Sequence, residues 1–159
     1  MKNVNIYLVL LTFFFTSCAE KRQNIPVFSY YLSNDSIKKF QLNINKNNNL
    51  INFEYSSNKD SVRDLLLKYN LEKDFIIERL DTFFTKGETY NSKEFKFKLY
   101  QRKEILSHNR VLVFNNTYGL LANLAFGKDF ILLRDSVSKS EKEVIYKKLF
   151  RNLNKISIK

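Results

Sequence analysis

Three short apolar segments in the last third of the chain constrain the fold most. They cover residues 111–114, 120–126 and 130–133. Turn-forming residues separate them, with Asn115 to Gly119 between the first two and Gly127 to Asp129 between the others. Short apolar runs bounded by turn residues are typical of strands. Because almost no polar residue interrupts them, we expect these strands to be central in a sheet and covered on both faces.

Other segments show the alternation of strands with one exposed face. Residues 37–45 and 51–55 alternate between apolar and polar side chains, and Asn47-Asn48-Asn49 lies between them. Because Asn tolerates positive φ, this pattern predicts a β-hairpin. The segment Glu94–Lys103 alternates most clearly. There we expect Phe95, Phe97 and Leu99 to point inward and Lys96, Lys98 and Arg102 to point outward.

Two segments have helical spacing. In residues 60–69, Val62, Leu65, Leu66 and Tyr69 fall on one side, and Ser61 and Asp64 have the spacing of a capping box. The last segment has a similar capping pair, Ser140 and Glu143, followed by an apolar stripe made of Ile145, Leu149, Leu153 and Ile156.

Residues 73–86 fit a helix or a strand, and their β-branched and aromatic content favours a strand. The sequence therefore predicts an α+β fold: an antiparallel meander sheet, a short helix near residues 60–70, and a C-terminal amphipathic helix packed on the sheet.

The N-terminus has the pattern of an export signal. Lys2 precedes an apolar run from Ile6 to Phe15, which is far shorter than the ~20 residues needed to span a bilayer. The junction Phe15-Thr16-Ser17-Cys18 resembles the lipobox of bacterial lipoproteins. That resemblance implies cleavage before Cys18, a diacylglycerol on its sulfur and an acyl group such as palmitate on its new amino group.

The lipobox resemblance gives an organisation for the whole chain. We expect residues 1–17 to be a signal peptide, 18–26 a lipidated tether and 27–159 a single domain. Ala19 does not resemble an inner-membrane retention signal, so we expect the periplasmic face of the outer membrane. Residues 118–126 are also similar to a stretch of small lipoproteins without an assigned function, and this resemblance implies no activity.

The formal charge is +11, and basic residues collect on one side of the C-terminal segment. They are Lys147, Lys148, Arg151 and Lys155. Such a face suits contact with anionic lipid or an acidic glycan. A solvated helix face whose cations complement the helix C-terminus is the alternative.

The sequence contains no recognisable catalytic motif. His108 is the only histidine, and Cys18 is the only cysteine. The three glycines are isolated, so no phosphate-binding loop is indicated. We therefore expect neither an enzyme nor a metal or other cofactor.

Three tripeptides resemble the Asp-Ser/Thr-apolar acceptor of bacterial envelope O-glycosylation. They place candidate glycans on Ser36, Ser61 and Ser136. Ordinary turn chemistry of the Asp-Ser pair is the alternative.

These features together predict a membrane-anchored envelope lipoprotein that acts as a non-catalytic protein-interaction module. Its expected partners are the membrane, through the acyl chains on Cys18, and an envelope protein. Nucleic acid is not expected, because the protein is exported. A binder of anionic lipid or glycan is the alternative function.

Overall fold

The computed structural model describes residues 24–31, 36–59, 63–91, 96–104, 110–125 and 129–135, with Ser140 and Lys147 as single residues. These residues form ten strands. The strands are β1 (Ile25–Tyr31), β2 (Ile37–Asn47), β3 (Leu50–Ser56), β4 (Leu65–Asn70), β5 (Phe75–Glu78), β6 (Asp81–Asn91), β7 (Lys96–Gln101), β8 (Val111–Asn115), β9 (Gly119–Leu124) and β10 (Phe130–Arg134).

Each strand pairs antiparallel with the next, and β1 pairs with β10 as well as with β2. Val27 shows the closure directly, because it lies opposite Phe40 on one side and Arg134 on the other. The sheet is therefore a closed up-and-down barrel. Side chains on the strands alternate between the interior and the outer surface, and this alternation is interrupted where the β6–β7 and β8–β9 pairs shift register.

Large apolar side chains line the interior. Among the described residues, fifteen buried ones form this cluster, including Phe40, Phe53 and Tyr55. Phe114 lies at the centre of its aromatic part, with its ring centroid 5.1 Å from those of Phe53 and Tyr69. Tilted and edge-on ring pairs at such distances add stability beyond the area they bury.

A second apolar cluster lies on the outer face of β7 to β10. Its buried members are Phe97, Leu99, Val111, Val113, Leu121, Ala122, Leu124, Ile131 and Leu133. The pairing register fixes their side, because Leu99 lies opposite Val113, while Tyr100 lies opposite the interior residue Leu112. This double burial confirms that residues 111–114, 120–124 and 130–133 form strands covered on both faces. Of the expected segment 120–126, Ala125 follows the strand and Phe126 lies outside the described residues.

The all-β barrel contradicts the α+β fold expected from the sequence. The expected helix at 60–69 is wrong, because residues 65–70 form β4, with Leu65, Leu67 and Tyr69 on the interior side. The run Leu65-Leu66-Leu67 fits periods of both 3.6 and 2, and pairing with β3 decides between them. The described residues between 24 and 135 contain no helix. Ser140 and Lys147 have helical backbone, and the rest of the expected C-terminal helix lies outside the described residues.

The observed strands also test three other predictions from the sequence. The hairpin at 37–55 is confirmed as β2 and β3. The preference for strand over helix at 73–86 is confirmed as β5 and β6, joined by a turn at Arg79-Leu80. In β7 the expected facing is wrong: Lys98 and Tyr100 point to the interior, and Phe97 and Leu99 are buried on the outer face.

Gly119 occupies a position that no other residue suits. Its φ is +84°, and a Cβ there would lie 2.8 Å from Phe53 Cδ1 and closer still to Tyr55 Oη. The next residue explains the crowding, because the Leu120 backbone N–H donates a 2.8 Å hydrogen bond to Tyr55 Oη. Burial raises the pKa of the Tyr55 hydroxyl, so it remains a neutral acceptor. Tyr55 thus joins β3 to β9 across the interior.

We predict that Gly119→Ala destabilises the barrel by about 2–4 kcal/mol, because backbone strain and overpacking add. Asn48→Ala is the matched control, since Asn48 also has a positive φ (49°) but is exposed. It should cost only about 1 kcal/mol. Urea unfolding followed by circular dichroism measures both losses. Equal losses would contradict the close contact between Gly119 and Tyr55.

Candidate functional site

The two ends of the barrel differ in chemistry. The closed end comprises the turns at 48–49, 71–74 and 116–118, together with the start of β1. The open end comprises the β3–β4 and β7–β8 connections, the turn at 79–80 and the start of β10.

Asp74 binds three side chains at the closed end. Its Oδ1 accepts hydrogen bonds from Tyr69 Oη at 2.9 Å and Tyr100 Oη at 2.7 Å. Its Oδ2 accepts one from Lys98 Nζ at 2.6 Å. Asp74 has a φ of 50°, which Asp adopts more readily than most residues. A single carboxylate therefore joins the β4–β5 turn to two interior side chains of β7.

These contacts shift the ionisation of the whole group. Burial acts to raise the pKa of the Asp74 carboxyl, but the hydrogen bonds from Lys98, Tyr100 and Tyr69 outweigh it and lower the pKa. Burial and the hydrogen bond to Asp74 raise the pKa of Tyr69 to about 12. The pKa of Tyr100 is raised for the same reasons. At neutral pH both tyrosines are therefore neutral donors to an ionised Asp74.

We predict that Asp74→Asn lowers the free energy of unfolding by about 1–2 kcal/mol at neutral pH, because its amide group would face the Lys98 ammonium. The lowered pKa makes Asp74 stabilising above its ordinary value of 3.8, and this contribution is lost as pH falls through the folded pKa. The difference between the two proteins should therefore shrink in acid.

Urea unfolding from neutral pH down to about pH 2.5 measures this difference. Glu54→Gln on the exposed face of β3 is the control, and it should show no comparable change. A difference between wild type and Asp74→Asn that stays constant with pH would contradict the ionised cluster.

A cavity of about 170 Å³ lies at the open end. Its floor is apolar and aromatic, and its rim is charged. The floor residues are Tyr31, Phe40, Tyr55, Leu65, Phe130 and Leu132, and the rim residues are Arg63, Asp64, Glu78, Arg79 and Arg110. A concave apolar pocket with a few convergent polar groups is the usual form of a small-molecule site.

The floor is rigid on one side. The rings of Tyr31 and Phe130 lie 5.3 Å apart between their centroids, and Tyr55 is fixed by its bond to Leu120. Ser29 lies opposite Leu132 in the pairing register and is fully buried. Its Oγ has no hydrogen-bond partner among the described residues.

Two rim carboxylates have partners. Glu78 forms an ion pair with Arg110, which also bonds to Asn123 and stacks 5.4 Å from the centre of the Phe83 ring. Asp64 Oδ1 accepts a 3.0 Å hydrogen bond from the Ser57 backbone N–H. These contacts hold the rim in place.

Two rim cations have no such partner. Arg63 and Arg79 are exposed, and neither has an ion pair or hydrogen bond within the part of the chain that the structure describes. Arg79 also has a φ of 55°, a conformation that is unfavourable for a side chain of its kind. Within the described residues, the rim therefore presents two unpaired guanidinium groups above an apolar floor.

Most residues singled out from the sequence lie outside the described residues. These are Cys18, Ser61, His108, Ser136, Lys148, Arg151 and Lys155. Ser36 is described: it is half-buried just before β2, and its carbonyl oxygen accepts a 3.0 Å bond from the Tyr31 N–H. Lys147 is exposed. The lipidation, glycosylation and basic-face assignments stay predictions.

The cavity was not predicted from the sequence. Arg63, Arg79 and Arg110 come from three separate connections, each of which reads as an ordinary polar turn. Within the described residues, no group of three or more His, Cys, Asp or Glu side chains comes together as a metal site. No helix among these residues is long and apolar enough to cross a bilayer.

Comparison with known proteins gives no relative. No protein-family model, no curated protein and no solved structure matches the chain. The geometry of the open-end cavity is therefore the basis for a functional assignment.

Proposed function

We propose that this protein is a lipid-anchored, non-catalytic binding protein of the cell envelope, and that its barrel holds a small molecule in the open-end cavity. The observation that carries the proposal is the cavity itself, with its apolar floor and its charged rim. Within the described residues, buried apolar side chains that include Phe40 and Tyr55 pack in the interior beside this cavity.

The size of the cavity sets the size of the ligand group it can enclose. A cavity of about 150 Å³ lined by apolar side chains accommodates benzene. At about 170 Å³, the open-end cavity suits one aromatic ring or a short alkyl chain. A larger ligand would extend past the rim, between the arginine side chains.

The position of the proposed anchor leaves the cavity accessible. Six residues lie between Cys18 and Ile25, so the tether spans seven Cα–Cα steps and reaches at most about 25 Å. β1 begins at the closed end, and the cavity mouth is at the other end of the barrel. The proposed anchor would therefore hold the closed end near the membrane and leave the mouth accessible.

We predict that Cys18→Ala releases the protein from the membrane fraction, because the acyl chains would have no attachment site. The measurement is fractionation of cells that express each form, with intact mass of the purified protein as the second readout. The wild type should carry the added mass of its acyl groups. A Cys18→Ala protein that stays membrane-bound would contradict the lipid anchor.

We predict that Leu65→Phe blocks the cavity, since Leu65 lines its floor. Leu66→Phe is the matched control, because the neighbouring Leu66 points outward and is 45% exposed. The measurement is a titration with 3-phenylpropanamide, a neutral probe, followed by NMR of the backbone amides. Wild type and Leu66→Phe should show shifts at Tyr31, Leu65 and Leu132, and Leu65→Phe should show none.

The absence of such shifts in the wild type would contradict a ligand-binding role. The same would follow if the probe shifted residues at the closed end instead.

A protein partner is the second candidate function. The barrel offers no free strand edge among the described strands, which removes docking by strand addition. Leu80 is fully exposed and Ile37 is 62% exposed, and both lie at the open end. These two side chains favour a protein partner that binds through an apolar contact. Binding of anionic lipid or glycan through the basic C-terminal face remains a proposal that rests on the sequence alone.

A further inference from the structure

We propose that the ligand of the open-end cavity is a small amphipathic monocarboxylate. Its ring or short chain would lie on the apolar floor, and its carboxylate would contact Arg63 and Arg79. This inference rests on the proposed function, since it names the ligand class of the same cavity.

The charge of the rim selects an anion with a single charge. Among the described residues, three guanidinium groups and two carboxylates line the cavity, which leaves one positive charge in excess. Arg110 forms an ion pair with Glu78, so the excess positive charge lies on Arg63 and Arg79. A monoanion would neutralise the rim. A phosphate dianion would exceed its charge and lie near Asp64 and Glu78.

The geometry of the donors favours a carboxylate. Guanidinium groups are planar and donate paired hydrogen bonds that match the two oxygens of a carboxylate. The aromatic rings below the rim, from Tyr31, Phe40 and Phe130, provide an apolar contact surface. A molecule with a carboxylate at one end and an apolar group at the other satisfies both parts of the cavity.

The backbone at Arg79 supports a role for its side chain. Arg79 and Leu80 form the two-residue turn between β5 and β6, and Gly, Asn or Asp is the usual residue where such a turn requires positive φ. Strained residues cluster at ligand sites, where the side chain is needed in that position. Arg79 lines the cavity from this position.

The test compares 3-phenylpropionate with 3-phenylpropanamide, which has the same shape and no charge. Calorimetric titration at low ionic strength should give the acid at least about tenfold higher affinity, because charge-assisted hydrogen bonds are stronger than neutral ones. The preference should decrease as salt is added, since both arginines are exposed. Phenyl phosphate should bind more weakly than the acid.

Three variants identify the residues that cause the preference for the acid over the amide. Arg79→Gly and Arg63→Gln should each weaken binding of the acid by about fivefold or more and leave binding of the amide unchanged. Lys39→Gln is the control, because it removes the same charge from the exposed outer face of β2, and it should alter neither affinity. Arg79→Gly should unfold at an equal or higher urea concentration, since Gly adopts positive φ without strain.

Each outcome separates this inference from the proposed function. Equal affinity for acid and amide would overturn the monocarboxylate and leave the cavity as a neutral-ligand site. Stronger binding of phenyl phosphate would also overturn it. If neither the acid nor the amide binds, the proposed function fails as well.

Discussion

The structure depends on the pairing of β1 with both of its neighbours. Val27 lies opposite Phe40 and Arg134, so the first and last strands complete the ring. The β1–β10 pairing joins residues about a hundred positions apart, whereas all other strand pairs are neighbours in sequence. Closure removes the sheet edges, encloses the aromatic interior and brings the turns of each end together. The open-end cavity depends on this closure, because its lining takes Tyr31 from β1 and Phe130 and Leu132 from β10.

Local patterns determine the strands, but closure determines which way they face. The hairpin of β2 and β3 was predictable, because strict alternation and an Asn-rich turn act over a few residues. The helix expected at 60–69 was wrong because Leu65-Leu66-Leu67 satisfies both periodicities until β3 and β5 pair with it. Phe97 and Leu99 looked like interior residues, yet both sides of β7 are buried, and alternation alone does not say which side is the interior.

The candidate site was harder to predict than the fold. Arg63, Arg79 and Arg110 have neither a shared spacing nor a motif, and only the barrel brings them to one rim. The closed end shows the same limit: Asp74 reads as a turn residue, and its partners Lys98 and Tyr100 lie on a strand more than twenty residues away. Sites built from separate turns of a meander leave no continuous signal, because each part also serves as an ordinary polar connection.

Among the described residues, three non-glycine residues have a positive φ: Asn48 and Asp74 lie at the closed end, and Arg79 lies at the open end. The environments of Asp74 and Arg79 differ in a way that bears on function. At Asp74, three hydrogen bonds from Tyr69, Tyr100 and Lys98 offset the unfavourable backbone, so the strain serves the structure. Arg79 has no such contact among the described residues, and its guanidinium is exposed at the cavity rim. An unfavourable backbone without a structural offset supports a role in ligand contact, because a glycine at this turn would fold at lower cost and carry no charge.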